Sequence, residues 1–229
     1  MKKILLILFV IFIGIFSFSK TVNFDTMFAD SLDVLQQITE VPDGVVFKEI
    51  LSKAKGVVIY PSMIKAGLVV GGSYGEGFLL RKDSNNVWYG PLFLKMTGVS
   101  VGFQVGISKT GLILVLMNES AFNNFTQNNN VTLGGNAGIA AGPLGRSFSA
   151  ETDYTLDASI YSYSISKGAY AGLSIEGSVI EQFNDATIQY YGQLQEPQNI
   201  IYNIQATGME VVSITDYIDK TVEEYLESK

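Results

Sequence analysis

Val99-Ser100-Val101-Gly102-Phe103-Gln104-Val105-Gly106-Ile107 alternates without a break. Val99, Val101, Phe103, Val105 and Ile107 fall on one side, and Ser100, Gly102, Gln104 and Gly106 on the other. A side-chain period of two is what an extended backbone imposes, so the stretch predicts a strand with one buried face. Its Gly/Ser/Gln face either lines a cavity or lies against another backbone.

The surroundings carry the same character. Residues 56–192 hold 20 of the 23 glycines. Leu112 to Met117 is a continuous apolar run, as expected of a strand buried on both faces. Ala158 to Ser166 predicts a strand with Tyr161, Tyr163 and Ile165 opposite Ser162, Ser164 and Ser166, and Ala169 to Ser178 predicts another. Gly67 to Gly77 is so rich in glycine that a bend or bulge is expected there. Asn123 to Asn130 predicts a polar loop. Gaps between these runs are short, which favours antiparallel pairing.

Helical periodicity brackets this centre. Phe24, Met27, Phe28, Leu32, Leu35 and Ile38 repeat at the spacing of an amphipathic helix over residues 20–40. Pro42-Asp43-Gly44 interrupts it, and Val45 to Ala54 predicts a second short helix with Val46, Ile50 and Leu51 inward. Val211, Ile214, Ile218, Val222, Tyr225 and Leu226 predict a closing helix. The fold expected is α+β: a central antiparallel, Gly-rich, barrel-like β-sheet with amphipathic N-terminal helices and a C-terminal helix.

Met1-Lys2-Lys3, the 15-residue apolar run Ile4 to Phe18 and the small residues Ser17 and Ser19 have the layout of a secretory signal peptide over residues 1–19. The run is shorter than the ~20 residues that span a bilayer. Export to the periplasm or the exterior is the expectation. Loss of Lys2 and Lys3 would move the net charge from −7 to −9. An acidic chain repels phosphate backbones, so nucleic acid is not an expected partner.

With no His and no Cys, the chain has no Ser-His-Asp or Cys-His catalysis and no imidazole or thiolate metal site. No nucleophile with an activating base stands out. Neither an enzyme nor a cofactor is expected.

A series of blocks resembles one family. Ala54-Lys55-Gly56-Val57-Val58-Ile59-Tyr60-Pro61, with Lys65-Ala66-Gly67 after it, resembles the opening of the SYLF domain. Gly71-Gly72-Ser73-Tyr74-Gly75-Glu76-Gly77, Trp88, Pro91, Gly102-Phe103-Gln104-Val105-Gly106, Leu133-Gly134-Gly135, Ala140-Ala141-Gly142-Pro143-Leu144-Gly145-Arg146, Thr152-Asp153, Gly172 to Ser178 and Tyr190-Tyr191-Gly192 follow in the family's order. The resemblance places the domain over residues 41–192, with residues 193–229 a helical extension outside it. It implies a non-enzymatic domain that binds membrane lipid, phosphoinositides in eukaryotic members. It also implies actin binding, as in fungal members, although an exported protein meets no cytoplasmic actin. Two positions depart from the pattern: Asn136 stands where the family usually has Asp, and Gly111 where an Asp is often near.

Candidate site residues follow. Lys48, Lys53, Lys55 and Lys65 form a basic group, either a solvated helix exterior or a headgroup-facing patch. Arg146 has a fork suited to a lipid phosphate. Arg146, Asp153 and Glu176 lie among apolar and small residues, where an ion-pair network holding the core is the plainer expectation. The glycines at 71–77 lack the Gly-Lys-Ser/Thr ending of a phosphate loop. Two other arrangements fit parts of the pattern: an integral outer-membrane β-barrel and a self-associating structural protein of the envelope. The helices at both ends and the doubly apolar run at 112–117 weigh against the barrel.

Overall fold

The computed structural model describes residues 21–41, 44–67, 70–101, 106–126, 130–133, 139–142, 158–166, 169–170, 175 and 177–229. The signal-peptide expectation lies outside these residues. Within them the fold is α+β, with a curled mixed sheet forming a half-barrel.

The chain opens with α1 (Phe24–Glu40) and α2 (Gly44–Ser52). Asn23 starts α1, its Oδ1 accepting the backbone N–H of Thr26 at 3.0 Å, which satisfies one orphan donor of the first turn. Four long strands follow: β1 (Gly56–Gly67), β2 (Val70–Lys82), β3 (Trp88–Val101) and β4 (Gly106–Leu116). Then come α3 (Glu119–Thr126), β5 (Asn130–Thr132), β6 (Ile139–Ala141), β7 (Ile160–Ser166), β8 (Ala169–Tyr170) and β9 (Val179–Gln182). The chain closes with α4 (Asn184–Tyr191), α5 (Pro197–Asn203) and α6 (Met209–Glu227).

The strand order is β5-β9-β3-β2-β1-β4-β7-β6, with β8 paired to β7. Every described pairing is antiparallel except β6 with β7, which is parallel. β1 is central, and its inner half is apolar on both faces. Val57 and Ile59 face α1, α2 and α6; Val58 and Tyr60 face α3 and α5. Leu112 to Leu116 are all buried, as their unbroken apolar run predicts. Each fully buried large apolar side chain contributes about 1.5–3 kcal/mol, so both helical layers are held mainly by burial. An outer-membrane barrel would instead turn one face to lipid and the other to a polar lumen.

Several local expectations change. Val99 to Ile107 is not one strand: β3 ends at Val101, and β4, antiparallel to it and separated from it in the sheet by β2 and β1, begins at Gly106. The two described side chains of its apolar side are not buried: Val99 is 79% and Ile107 81% exposed. Alternation reports which side chains share a face, and it is blind to where the chain turns. The glycine run of β2 pairs with β3 without a slip from Gly71 to Gly77, whereas against β1 the register shifts between Ile59 and Ser62, opposite Gly77, which places an irregularity at the end of the run as expected. Pro61 sits there and has no N–H to give to the ladder. Within 169–178 the described residues form a strand at Ala169–Tyr170, Gly177 has a φ of 76° in a turn, and residues 171–174 and 176 lie outside the described residues. The polar loop expected at 123–130 is helical through Thr126, because Phe122 and Phe125 bury one side of α3.

Close approach explains one glycine. A Cβ on Gly111 would lie 2.6 Å from Cγ2 of Val34, so α1 reaches β4 only over a bare backbone. That position has no room for the carboxylate often found near it in the family pattern.

Candidate functional site

Helix α2 buries Gly44, Val46, Phe47, Ile50 and Leu51. Phe47 packs edge-on against Tyr163, ring centroids 4.9 Å apart. Lys48 is then left half-buried on the rim, while Lys53 and Lys55 are exposed beside Val45, itself 60% exposed. Lys48 stands on α2, and Lys53 and Lys55 follow it in the turn between Ser52 and Gly56.

Lys65 is elsewhere. It stands on β1 ten residues beyond Lys55, roughly 33 Å along an extended strand, paired with Ser108 of β4 and Ser73 of β2.

The electrostatics of the α2 surface are mixed. Lys53 Nζ meets Glu49 Oε1 at 3.0 Å, and Lys229 Nζ lies 4.0 Å from the same oxygen. The hydrogen bond from Lys53 is the main reason the Glu49 carboxyl titrates below its usual range. Partial burial opposes this, and the charges of Lys53 and Lys229 reinforce it. Lys229 reaches this patch because α6 packs on α2. Sequence reasoning missed it, as nothing local links residues 180 positions apart.

Arg81 and Lys82 are also committed. The Arg81 guanidinium donates to both carboxylate oxygens of Glu119, at 3.3 and 3.1 Å, and stacks 4.4 Å from the Tyr202 ring. Lys82 Nζ is 2.8 Å from Oδ1 of Asp219.

A second surface lies at the other end of the sheet. Thr21, Val22, Asn23, Thr26 and Met27 form one wall of an open cleft of about 260 Å³; Pro61, Ser62, Ile64, Tyr74 and Glu76 form the other. Tyr74 donates its hydroxyl to Glu76 Oε1 at 2.8 Å, and burial with that carboxylate raises its pKa. The side-chain amide of Gln189 clasps Val22, accepting its N–H at 2.9 Å and donating to its carbonyl at 2.7 Å. The start of the described chain is thereby fixed against the sheet. Beyond the cleft the sheet is bare, with Ile64, Val99 and Ile107 exposed.

Arg146, Asp153 and Glu176 lie outside the described residues, as does Asn136. Among the described residues no group of three or more acids gathers that could hold a metal ion. No helix among them is long and apolar enough to cross a membrane.

A family model described as "Ysc84: Las17-binding protein actin regulator" matches residues 97–221, from β3 into α6. The matched span continues past Gly192, the boundary that the motif blocks mark. SH3 domain-containing YSC84-like protein 1 of Homo sapiens is 29% identical over 197 residues, 84% of this chain and 57% of that protein. Its Xenopus laevis counterpart is 31% identical over 185 residues, 80% of this chain and 55% of that protein. LAS seventeen-binding protein 3 of Saccharomyces cerevisiae is 36% identical over 152 residues, 66% of this chain and 33% of that protein. The chain thus spans a little over half the length of the vertebrate relatives and a third of the yeast one.

Proposed function

The chain belongs to the SYLF (Ysc84) domain family, and from that membership we propose that it is an exported, non-enzymatic lipid-binding protein acting at a membrane surface. The observation that carries the proposal is the two-sided build of α2. One side is buried in the core, the other carries Lys48 and the exposed Val45, and Lys53 and Lys55 are exposed in the turn that follows the helix. Lysines beside exposed apolar area suit the headgroup layer of an anionic membrane, where each cation contributes about 1 kcal/mol. Glu49 offsets part of the charge of Lys53, so Lys48 and Lys55 carry most of the attraction. The leader layout of residues 1–19 supports export.

Vesicle flotation tests this. The chain should float with vesicles of phosphatidylcholine and phosphatidylglycerol. Changing Lys48, Lys53 and Lys55 together to Glu should weaken binding about a hundredfold or more. Undiminished flotation of the triple variant removes this patch, and failure of the unmodified chain to bind any vesicle removes the lipid proposal.

The description of the matching family favours a second reading, a protein-binding module of the actin-regulator type. Co-sedimentation with actin filaments in the absence of vesicle binding would put that reading first.

A further inference from the structure

At the end of the sheet opposite Gly56, one cross-strand row runs Ile107–Ala66–Gly72–Val99 through β4, β1, β2 and β3. Directly paired residues present their side chains on the same face. Val99 is 79% and Ile107 81% exposed, and Ala66 is exposed between them. The next row inward holds Ile64, 47% exposed, paired with Lys109 and Tyr74. The carboxylate of Asp30 in α1 lies 3.8 Å from Lys109 Nζ, and Val99 and Ile107 stand nearer the strand ends, largely exposed among the described residues.

The charge around this row differs from the rest of the chain. Residues 61–75 and 96–118 contain Lys65 and Lys109 and no Asp or Glu, in a chain of net charge −7. Thr21 and Val22 line the cleft beside Ile64 and Tyr74.

We infer that this end of the sheet is a bilayer-contacting surface: Val99 and Ile107 enter the interfacial layer, and Lys109, which shares their face, meets anionic headgroups. The inference rests on the lipid-binding reading above, and it places a contact at the opposite end of β1 from Lys48, Lys53 and Lys55. Singly exposed apolar residues are ordinary, whereas Ile64, Ala66, Val99 and Ile107 are exposed together on one face of adjoining strands. A second copy of the chain fits less well. A stable dimer buries about 800 Å² per partner, and one row containing a glycine and an alanine offers far less.

The test uses the absence of cysteine, which makes single-site labelling clean. An environment-sensitive dye is attached at Ile107→Cys, or at Asn85→Cys in the turn between β2 and β3. Vesicles of phosphatidylcholine with phosphatidylglycerol should shift the emission to the blue at 107 and leave it unchanged at 85. Val99→Glu with Ile107→Glu should weaken flotation about tenfold or more, and the milder Val99→Ser with Ile107→Ser should weaken it less. If the unmodified chain floats but the dye at 107 does not respond, this surface is wrong while lipid binding stands. If the unmodified chain binds no vesicle, both fail. A shift at 107 without vesicles, with a doubled mass in solution, assigns the row to self-association and overturns the inference.

Discussion

The indole N–H of Trp88 donates to Oδ2 of Asp219 at 3.0 Å, tying the start of β3 to the middle of α6. The other oxygen of Asp219 takes Lys82 Nζ at 2.8 Å, and that ammonium lies 5.5 Å from the centre of the Trp88 ring. One carboxylate thus joins two strands and a helix.

Asp219→Ala should therefore lower stability by about 1–3 kcal/mol, because it leaves a nearly buried indole donor without its acceptor. Trp88 is the one tryptophan of the chain, so the blue-shifted emission of the native state should move to the red in the variant. Urea unfolding followed by that emission measures both effects. An unchanged midpoint would show that the contact adds nothing.

Tyr60 makes the opposite case. It is fully buried beneath α3 and α5, and its hydroxyl has no hydrogen-bond partner among the described residues. Burial drives its pKa well above the usual phenol value. An unpaired buried hydroxyl costs free energy, so Tyr60→Phe should stabilise the protein by about 1–2 kcal/mol. A loss of stability on thermal unfolding would mean that the hydroxyl is in fact paired.

Gly111 and Val34 are coupled by space. Gly111→Ala should cost about 1–3 kcal/mol, since its Cβ meets both methyl groups of Val34, at 2.6 and 2.8 Å. The cost should shrink in a Val34→Ala background. A double-mutant cycle in denaturant checks this, and strict additivity would refute the clash.

Glu49 gives a pH dependence of known sign. The Lys53 hydrogen bond holds its folded-state pKa below the unfolded value, so its contribution to stability is present above the ordinary carboxylate range. That contribution is lost as pH falls through the lowered value. The pair is half-exposed, so solvent limits it to a few tenths of a kcal/mol. Glu49→Gln should flatten the fall in unfolding midpoint between neutral pH and about pH 3 by that amount. A steeper fall in the variant would contradict the sign.

The aromatic seam between α1, the sheet and α4 illustrates how far the chain is legible. Helical spacing marks Phe24 and Phe28 as inward residues, and Phe24 meets Phe93 at 4.9 Å while Phe28 meets Phe78 at 5.0 Å. Tyr190 and Tyr191 stand in the sequence as part of a motif with no visible task. In the fold Tyr190 closes on Phe24 at 5.1 Å, and Tyr191 donates to the carbonyl of Pro91 at 3.0 Å. Helices α4 and α5 are not apparent in the sequence. They are short, and their residues are chosen by what they cap and cover.

The apolar faces of α1, α2 and α6, the doubly buried core of β4 and the exclusion of His- and Cys-based chemistry follow from the order of residues alone. Those depend on composition and on side-chain period, which are local properties. Packing was needed to show that the alternation at Val99–Ile107 spans two strands, that Lys65 stands far along β1 from Lys55, and that Lys229 closes on Glu49. Strand ends and the meeting of distant charges are set by which segments pack together. That outcome is a sum over long-range contacts, and no stretch of the chain carries it alone.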